Sequence, residues 1–197
     1  MNELVYRILM LVAFFFMFGI RIYYQRKVLK DERKFEMREG KLDLIAGAVA
    51  ALTTLFFGGA YLLAPNAFRF AYLRYPDWLR WGGVGLLIGG IALLWAAHHH
   101  LDNSFNSLVG TREEQKLVTS GPYRLIRHPI YTAYFMNYLG GGLLASQWVL
   151  TFIPLIFFGV LVINRMGKEE AMLREEFGAE YEEYARKTGI LLPKMRP

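Results

Sequence analysis

The chain has 197 residues, of which 54% are apolar, 16% aromatic and only 20% charged, with a mean hydropathy of +0.23. Soluble domains sit nearer about 45–50% apolar and about 25% charged, so the composition excludes an ordinary water-soluble globule and points to the bilayer. The net charge is +6 and there is no cysteine, which excludes disulfides, a thiol nucleophile, Cys-ligated zinc and iron–sulfur clusters.

A helix that crosses the bilayer needs about 20 apolar residues. On that measure the sequence predicts an all-α integral membrane protein with about five transmembrane helices. They form a single domain over 1–197, with spans near 4–24, 44–64, 79–97, 130–146 and 148–164 and a helical segment over 165–197. In the first span Ile8 to Ile20 carry no charge, and Arg7 and Arg21 are close enough to the ends to snorkel. It reads as a span rather than a secretory signal, since no basic n-region precedes it and no small-residue cleavage site follows. Leu44 to Ala64 is uncharged, and Asn66 to Pro76 reads as an aromatic segment in the outer interface. The third span carries Gly82, Gly83, Gly85, Gly89 and Gly90, small residues that let helices approach closely. From Ile130 to Ile163 there are 34 residues without a charge, roughly 51 Å as one helix, so a break is expected. Ser146-Gln147 is the expected site, giving a tight hairpin whose second helix Pro154 tilts or kinks.

Lys and Arg test this topology independently. Arg21–Lys41, His98–His128 and Arg165–Pro197 hold 8, 4 and 7 of them, 19 of the total 23. Arg7, Arg69, Arg74 and Arg80 remain for the other side. The asymmetry puts the N-terminus outside and the C-terminus in the cytoplasm. It also reads the net charge as a collar facing anionic headgroups rather than a nucleic-acid footprint, for which no basic–aromatic module is present.

Polar residues concentrate in two blocks on the side read as cytoplasmic. In Gln115–Tyr134, Gly121-Pro122 signals a turn and Arg127-His128-Pro129 opens the fourth span, with Pro129 in a first-turn position. Free N–H groups at that helix start suit an anionic group. A basic, aromatic interfacial belt is the alternative reading of the same residues. In Arg165–Tyr184, Arg165 and Glu169 share a helix face, with Glu170 one step round, and unpaired charge at that depth is costly. Glu175, Glu176, Glu182 and Glu183 read as a solvated face. His98-His99-His100 looks like a metal tract, but consecutive helical residues point about 100° apart, so no shared ion and no metal site is expected. The glycines at 82–90 lack the GxGxxG spacing and a preceding strand.

The two blocks resemble the isoprenylcysteine carboxyl methyltransferases and the related phospholipid N-methyltransferases. The likeness rests on Lys116-Leu117-Val118, Gly121-Pro122-Tyr123-Arg124, Arg127-His128-Pro129 with Tyr131, Lys168-Glu169-Glu170, Phe177-Gly178, Glu180-Tyr181, Tyr184, and Thr188 ahead of Pro193. It covers roughly 103–197. The resemblance implies a membrane methyltransferase that uses S-adenosylmethionine, releases S-adenosylhomocysteine and methylates the carboxylate of a prenylated cysteine or a similar lipophilic acceptor. It also implies a cofactor site on the cytoplasmic side, contacted by Gln115, Leu117, Val118, Gly121, Tyr123, His128, Pro129, Tyr131 and Glu169 or Glu170. Arg165 and Glu170 match the arginine and glutamate beside the acceptor. Gln115 stands where the family often has His, and Ala171 where some relatives carry a third glutamate. A lipid amine is the alternative acceptor. A sterol-type reductase and a non-enzymatic scaffold or transporter are the competing classes.

Overall fold

The structure, a computed structural model, describes the backbone of residues 3–30, 41–106 and 117–194, with the side chains of 25, 27–30 and 102–106 left aside. Five helices carry the fold: α1 (Glu3–Lys30), α2 (Lys41–Leu63), α3 (Asp77–Asn106), α4 (Pro129–Ala145) and α5 (Trp148–Lys187). Two isolated β-bridges, Tyr72 with Gln147 and Ile126 with Gly189, are the other regular pairings among the described residues. Four helices, α1, α2, α3 and α5, contain stretches long and apolar enough to cross a membrane. The 17 residues of α4 rise about 26 Å, slightly less than a hydrocarbon core of roughly 30 Å.

The apolar surface faces outward. Only 17% of the apolar window of α1 is buried, and Phe15 and Leu63 are 73% and 87% exposed. Lipid is as apolar as a leucine side chain, so burial does not drive these helices together, and small residues decide where they touch. Such contact joins the backbones of α3 and α4 from both sides. A Cβ on Gly83 would lie 2.7 Å from the Gly140 carbonyl, and one on Gly140 2.7 Å from the Gly83 carbonyl. Gly82 and Gly85 face open space, so the packing role expected of the glycine run falls to Gly83, Gly89 and Gly90.

The hairpin breaks where the sequence places it. Ser146 adopts the left-handed conformation (φ 56°, ψ 40°), and the Gln147 N–H closes back on the Gly142 carbonyl at 3.1 Å. Serine suits this place because its hydroxyl donates to the Leu73 carbonyl and accepts from the Tyr75 N–H, tying the hairpin to the α2–α3 connection. Two boundaries differ from the sequence reading. α3 runs on to Asn106, because His98–His100 contain no breaker. α5 passes without interruption from the span into 165–187, because Arg165–Lys168 are compatible with a helix, and its dihedrals hold through Pro154. They fail only at Gly178 (φ 50°, ψ −122°).

The end of the bundle that holds the hairpin turn is locked by Arg80. Its Nε donates to the Leu144 carbonyl at 2.9 Å, and its two terminal nitrogens grip Glu3 bidentately at 2.8 and 2.9 Å. The guanidinium lies 3.6 Å above the Tyr6 ring and also reaches the Tyr61 hydroxyl, while Tyr6 donates to Asp77 at 2.9 Å. One side chain thus joins α1, α2, α3 and α4. The sequence reading saw Arg80 only as one of four basic residues on that side.

Candidate functional site

At the opposite end, the residues around His128 gather the two polar blocks. Gly121–Arg124 forms a 3-10 turn with Pro122 in its first positions and Tyr123 buried. Gly121 is required twice over: its φ is +57°, and a Cβ there would lie 2.4 Å from the His100 ring on α3. The chain then runs beside the segment that follows α5. The Arg127 N–H donates to the Gly189 carbonyl at 2.8 Å, the Gly189 N–H to Leu125 at 3.1 Å, and the His128 N–H to Ile190 at 3.1 Å. Thr132 Oγ1 donates to the Leu191 carbonyl at 2.6 Å, and the Tyr184 hydroxyl to the Tyr123 carbonyl at 2.8 Å.

Arg127 is the hub. Its Nε donates to Glu170 Oε1 at 2.9 Å, and its Nη1 donates to the carbonyls of Ala185 and Thr188 at 2.9 and 2.8 Å. Sequence reasoning recorded Arg127 as part of a motif and gave it no site role. The only local signal was an arginine directly before His-Pro in a chain with carboxylates at 169 and 170.

His128 is 8% exposed, at the residue preceding α4. Its Nδ1 lies 3.5 Å from Glu169 Oε2 and its Nε2 3.4 Å from Glu170 Oε1, so each carboxylate faces one ring nitrogen. The sequence left open which glutamate faces the site; in the structure both approach His128. The imidazole stacks on the Tyr131 ring (5.5 Å between centroids, 19°), and the Tyr131 hydroxyl donates to Glu169 Oε1 at 2.5 Å. Burial holds the imidazole below its ordinary pKa of 6.5, against the upward pull of the two carboxylates. Its Nε2 is buried without a hydrogen-bond partner, as is Asn164 Nδ2 one residue before Arg165.

The resemblance placed Arg165 and Glu170 together beside the acceptor. The structure assigns the pairs differently: Glu170 meets Arg127 and, at 3.3 Å, Arg174, whereas Arg165 Nε lies 3.6 Å from Glu169 Oε1. The cause is helical spacing, since Arg174 is one turn beyond Glu170 and Arg165 one turn before Glu169. Tyr123, His128, Pro129, Tyr131, Glu169, Glu170 and Arg165 therefore share this end of the bundle. Leu117 and Val118 lie half-buried at the head of the loop, and Gly121 is exposed. Gln115 and Lys116 are outside the described residues. The three histidines of 98–100 engage separately: His98 stacks on Tyr24, His99 on Trp95, and His100 Nδ1 lies 2.9 Å from the Ala96 carbonyl.

Fold and polar cluster together define a multi-pass helical membrane protein with charged and aromatic side chains gathered at one end of an otherwise apolar bundle. The model of the isoprenylcysteine carboxyl methyltransferase (ICMT) family matches residues 83–175. The chain is 29% identical over 170 residues to protein-S-isoprenylcysteine O-methyltransferase of Schizosaccharomyces pombe, covering 81% of this chain and 70% of that one. It is 30% identical over 161 residues to the Saccharomyces cerevisiae protein of the same name, covering 81% and 66%. It is also 29% identical over 120 residues to the cobalt-zinc-cadmium resistance protein CzcN of Cupriavidus metallidurans, covering 61% of this chain and 51% of the relative. In fold it is similar to the solved eukaryotic intramembrane Ras methyltransferase ICMT, with a TM-score of 0.52 at 22% identity over 82% of this chain and 54% of that one. The chain thus spans about half the length of some of these relatives. The family model and the curated methyltransferases together support the isoprenylcysteine carboxyl methyltransferase family for this chain.

Proposed function

We propose that the chain is a membrane methyltransferase that moves a methyl group from S-adenosylmethionine to the carboxylate of a prenylated cysteine or a similar lipophilic acceptor. The observation that carries this reading is His128 held between Glu169 and Glu170 at the rim of an apolar bundle, in a chain of this family. The residues fit the cofactor. His128 Nε2 is a buried ring nitrogen with hydrogen-bonding capacity left over, and the Glu169 and Glu170 carboxylates suit the cationic sulfonium and amino groups of such a molecule. When bound, S-adenosylmethionine supplies an activated methyl group that needs no metal and no covalent enzyme intermediate.

The protein's own part is positioning, which in favourable cases is worth about 7–11 kcal/mol of barrier. Leu117, Val118, Gly121, Tyr123, His128, Pro129, Tyr131 and Glu169 hold the cofactor, and Gln115 joins them in this proposal. Arg165, one helical turn from Glu169, orients the acceptor carboxylate through charge-assisted hydrogen bonds. Glu170 fixes Arg127 and faces His128 beside the reacting groups. A carboxylate acceptor is nucleophilic as it stands, so no strong base is assigned. The acceptor's lipid tail stays among the helices while its head reaches the rim. The Lys and Arg distribution supports placing this rim, and the C-terminus, in the cytoplasm.

The test is calorimetric titration of S-adenosylhomocysteine into the purified protein, followed by methyl transfer to a farnesylated cysteine peptide. Saturable binding that His128→Ala abolishes, with methylation of the peptide, is expected. A folded wild type that binds no S-adenosylhomocysteine overturns the cofactor assignment. Binding without peptide methylation overturns the acceptor alone.

A further inference from the structure

Inside the spanning part of the bundle, well away from the Arg80 and His128 ends, Asn137 is 4% exposed, and neither its Oδ1 nor its Nδ2 has a hydrogen-bond partner in the protein. The side chain sits against α3 at Gly90, where a Cβ would lie 2.6 Å from Asn137 Oδ1, so glycine leaves the room that the amide fills. A carboxamide brings two donors and two acceptor lone pairs into a low-dielectric interior, where leaving them unmade is costly. Asn137 also lines a cavity of about 20 Å³, together with Met10, Phe14 and Met17 of α1 and Thr54 of α2. About 10–15 Å³ of such space suffices for one water, provided polar partners surround it. The Thr54 hydroxyl donates to the Ala50 carbonyl at 2.8 Å, which leaves its lone pairs to accept.

The geometry points to a binding site for a single internal water in this cavity, held by the Asn137 amide and shared with Thr54. The water gives the amide a hydrogen-bond partner and links α4 to α2. An apolar guest is the wrong chemistry, because it leaves both amide atoms unpaired, and the volume is too small for a lipid tail. The site is independent of the methyltransferase reading.

The test is X-ray hydroxyl-radical footprinting of the protein in lipid nanodiscs prepared in ¹⁸O-water. Ordered water is split where it sits and oxidises neighbouring methionines. Met10, 1% exposed, and Met17 are the reporters, and Met172, beyond the apolar part of α5, is the reference. Expected is ¹⁸O label on Met10 and Met17 in the wild type, kept in Asn137→Ser and lost in Asn137→Leu, with Met172 labelled in all three. A wild type unlabelled at both reporters overturns the site, as does labelling that persists unchanged in a folded Asn137→Leu. If the leucine variant fails to fold, Asn137→Gly takes its place: it removes the amide, and unchanged labelling there overturns Asn137 as the holder.

Discussion

The two ends of the bundle each bury an arginine against a glutamate, yet they are built to different standards. Around Arg80, all three guanidinium nitrogens are engaged, by Leu144, Glu3 and Tyr61, and an aromatic face covers the plane. Around His128, the Arg127–Glu170 pair is equally short at 2.9 Å, but the histidine sits 3.4 and 3.5 Å from the carboxylates and its buried Nε2 makes no hydrogen bond. A closed network fixes helices and has nothing left to offer a ligand. A network with capacity left over is one that a ligand completes. What separates the two is the satisfaction of the central group, complete for the Arg80 guanidinium and incomplete for the His128 ring, although the Tyr72 hydroxyl and Gln147 Oε1 near Arg80 also lack partners.

The sharpest way to break that contrast is Arg80→Ala. It strips partners from Glu3, Tyr61 and the Leu144 carbonyl and is expected to cost about 2–3 kcal/mol, toward the low end for a buried pair because Glu3 is half-exposed. A thermal melt in detergent should fall by several degrees while S-adenosylhomocysteine affinity in the folded fraction stays put. An equal loss of affinity would mean the two ends are coupled. Glu170→Gln should do the reverse. Taking away the carboxylate charge that faces Arg127 and His128 should weaken S-adenosylhomocysteine binding by about ten- to a hundredfold, or roughly 1.4–2.8 kcal/mol, with a smaller shift in the melt. Calorimetry on the variant checks it.

Gly121→Ala comes next. The left-handed backbone alone costs about 1–2 kcal/mol, and the His100 ring must move as well, so both melting temperature and affinity should drop. A smaller effect follows from the buried imidazole. The folded-state pKa of His128 lies below its ordinary 6.5, so the folded state binds fewer protons in the window just below that value. The stability is fully present above pH 6.5 and is lost as pH falls through the window. Melts of wild type and His128→Gln between pH 7.5 and 5 should converge at low pH if this is right, and run parallel if it is not. Lys187→Gln, which removes an exposed pair with Glu183, should leave the melt unchanged.

Much of the architecture was readable because its causes are local. Ser146-Gln147 is a polar interruption in a 34-residue apolar run, and the break falls there. Turn chemistry at Gly121-Pro122 and Pro129 at a helix start were equally visible. The continuity of α5 was not, because a change from apolar to charged residues resembles a boundary although no residue there stops a helix before Gly178. The site residues came together as the two blocks suggested, but their pairings did not follow from sequence. Helical spacing showed that Arg165 reaches Glu169; it gave no hint that Glu170 turns to Arg127, 43 positions earlier in the chain. Arg80 escaped for the same reason, since its partner Glu3 lies 77 residues away.

The pairing of Leu125–His128 with Gly189–Ile190 has a consequence for how the molecule is made. The strip that pairs with this loop is translated after all five helices, so every nascent chain passes through a stage in which the helices are available for insertion while the Leu125–His128 backbone still lacks its partner. These backbone hydrogen bonds therefore form late in synthesis, once the strip has followed the last helix out of the ribosome.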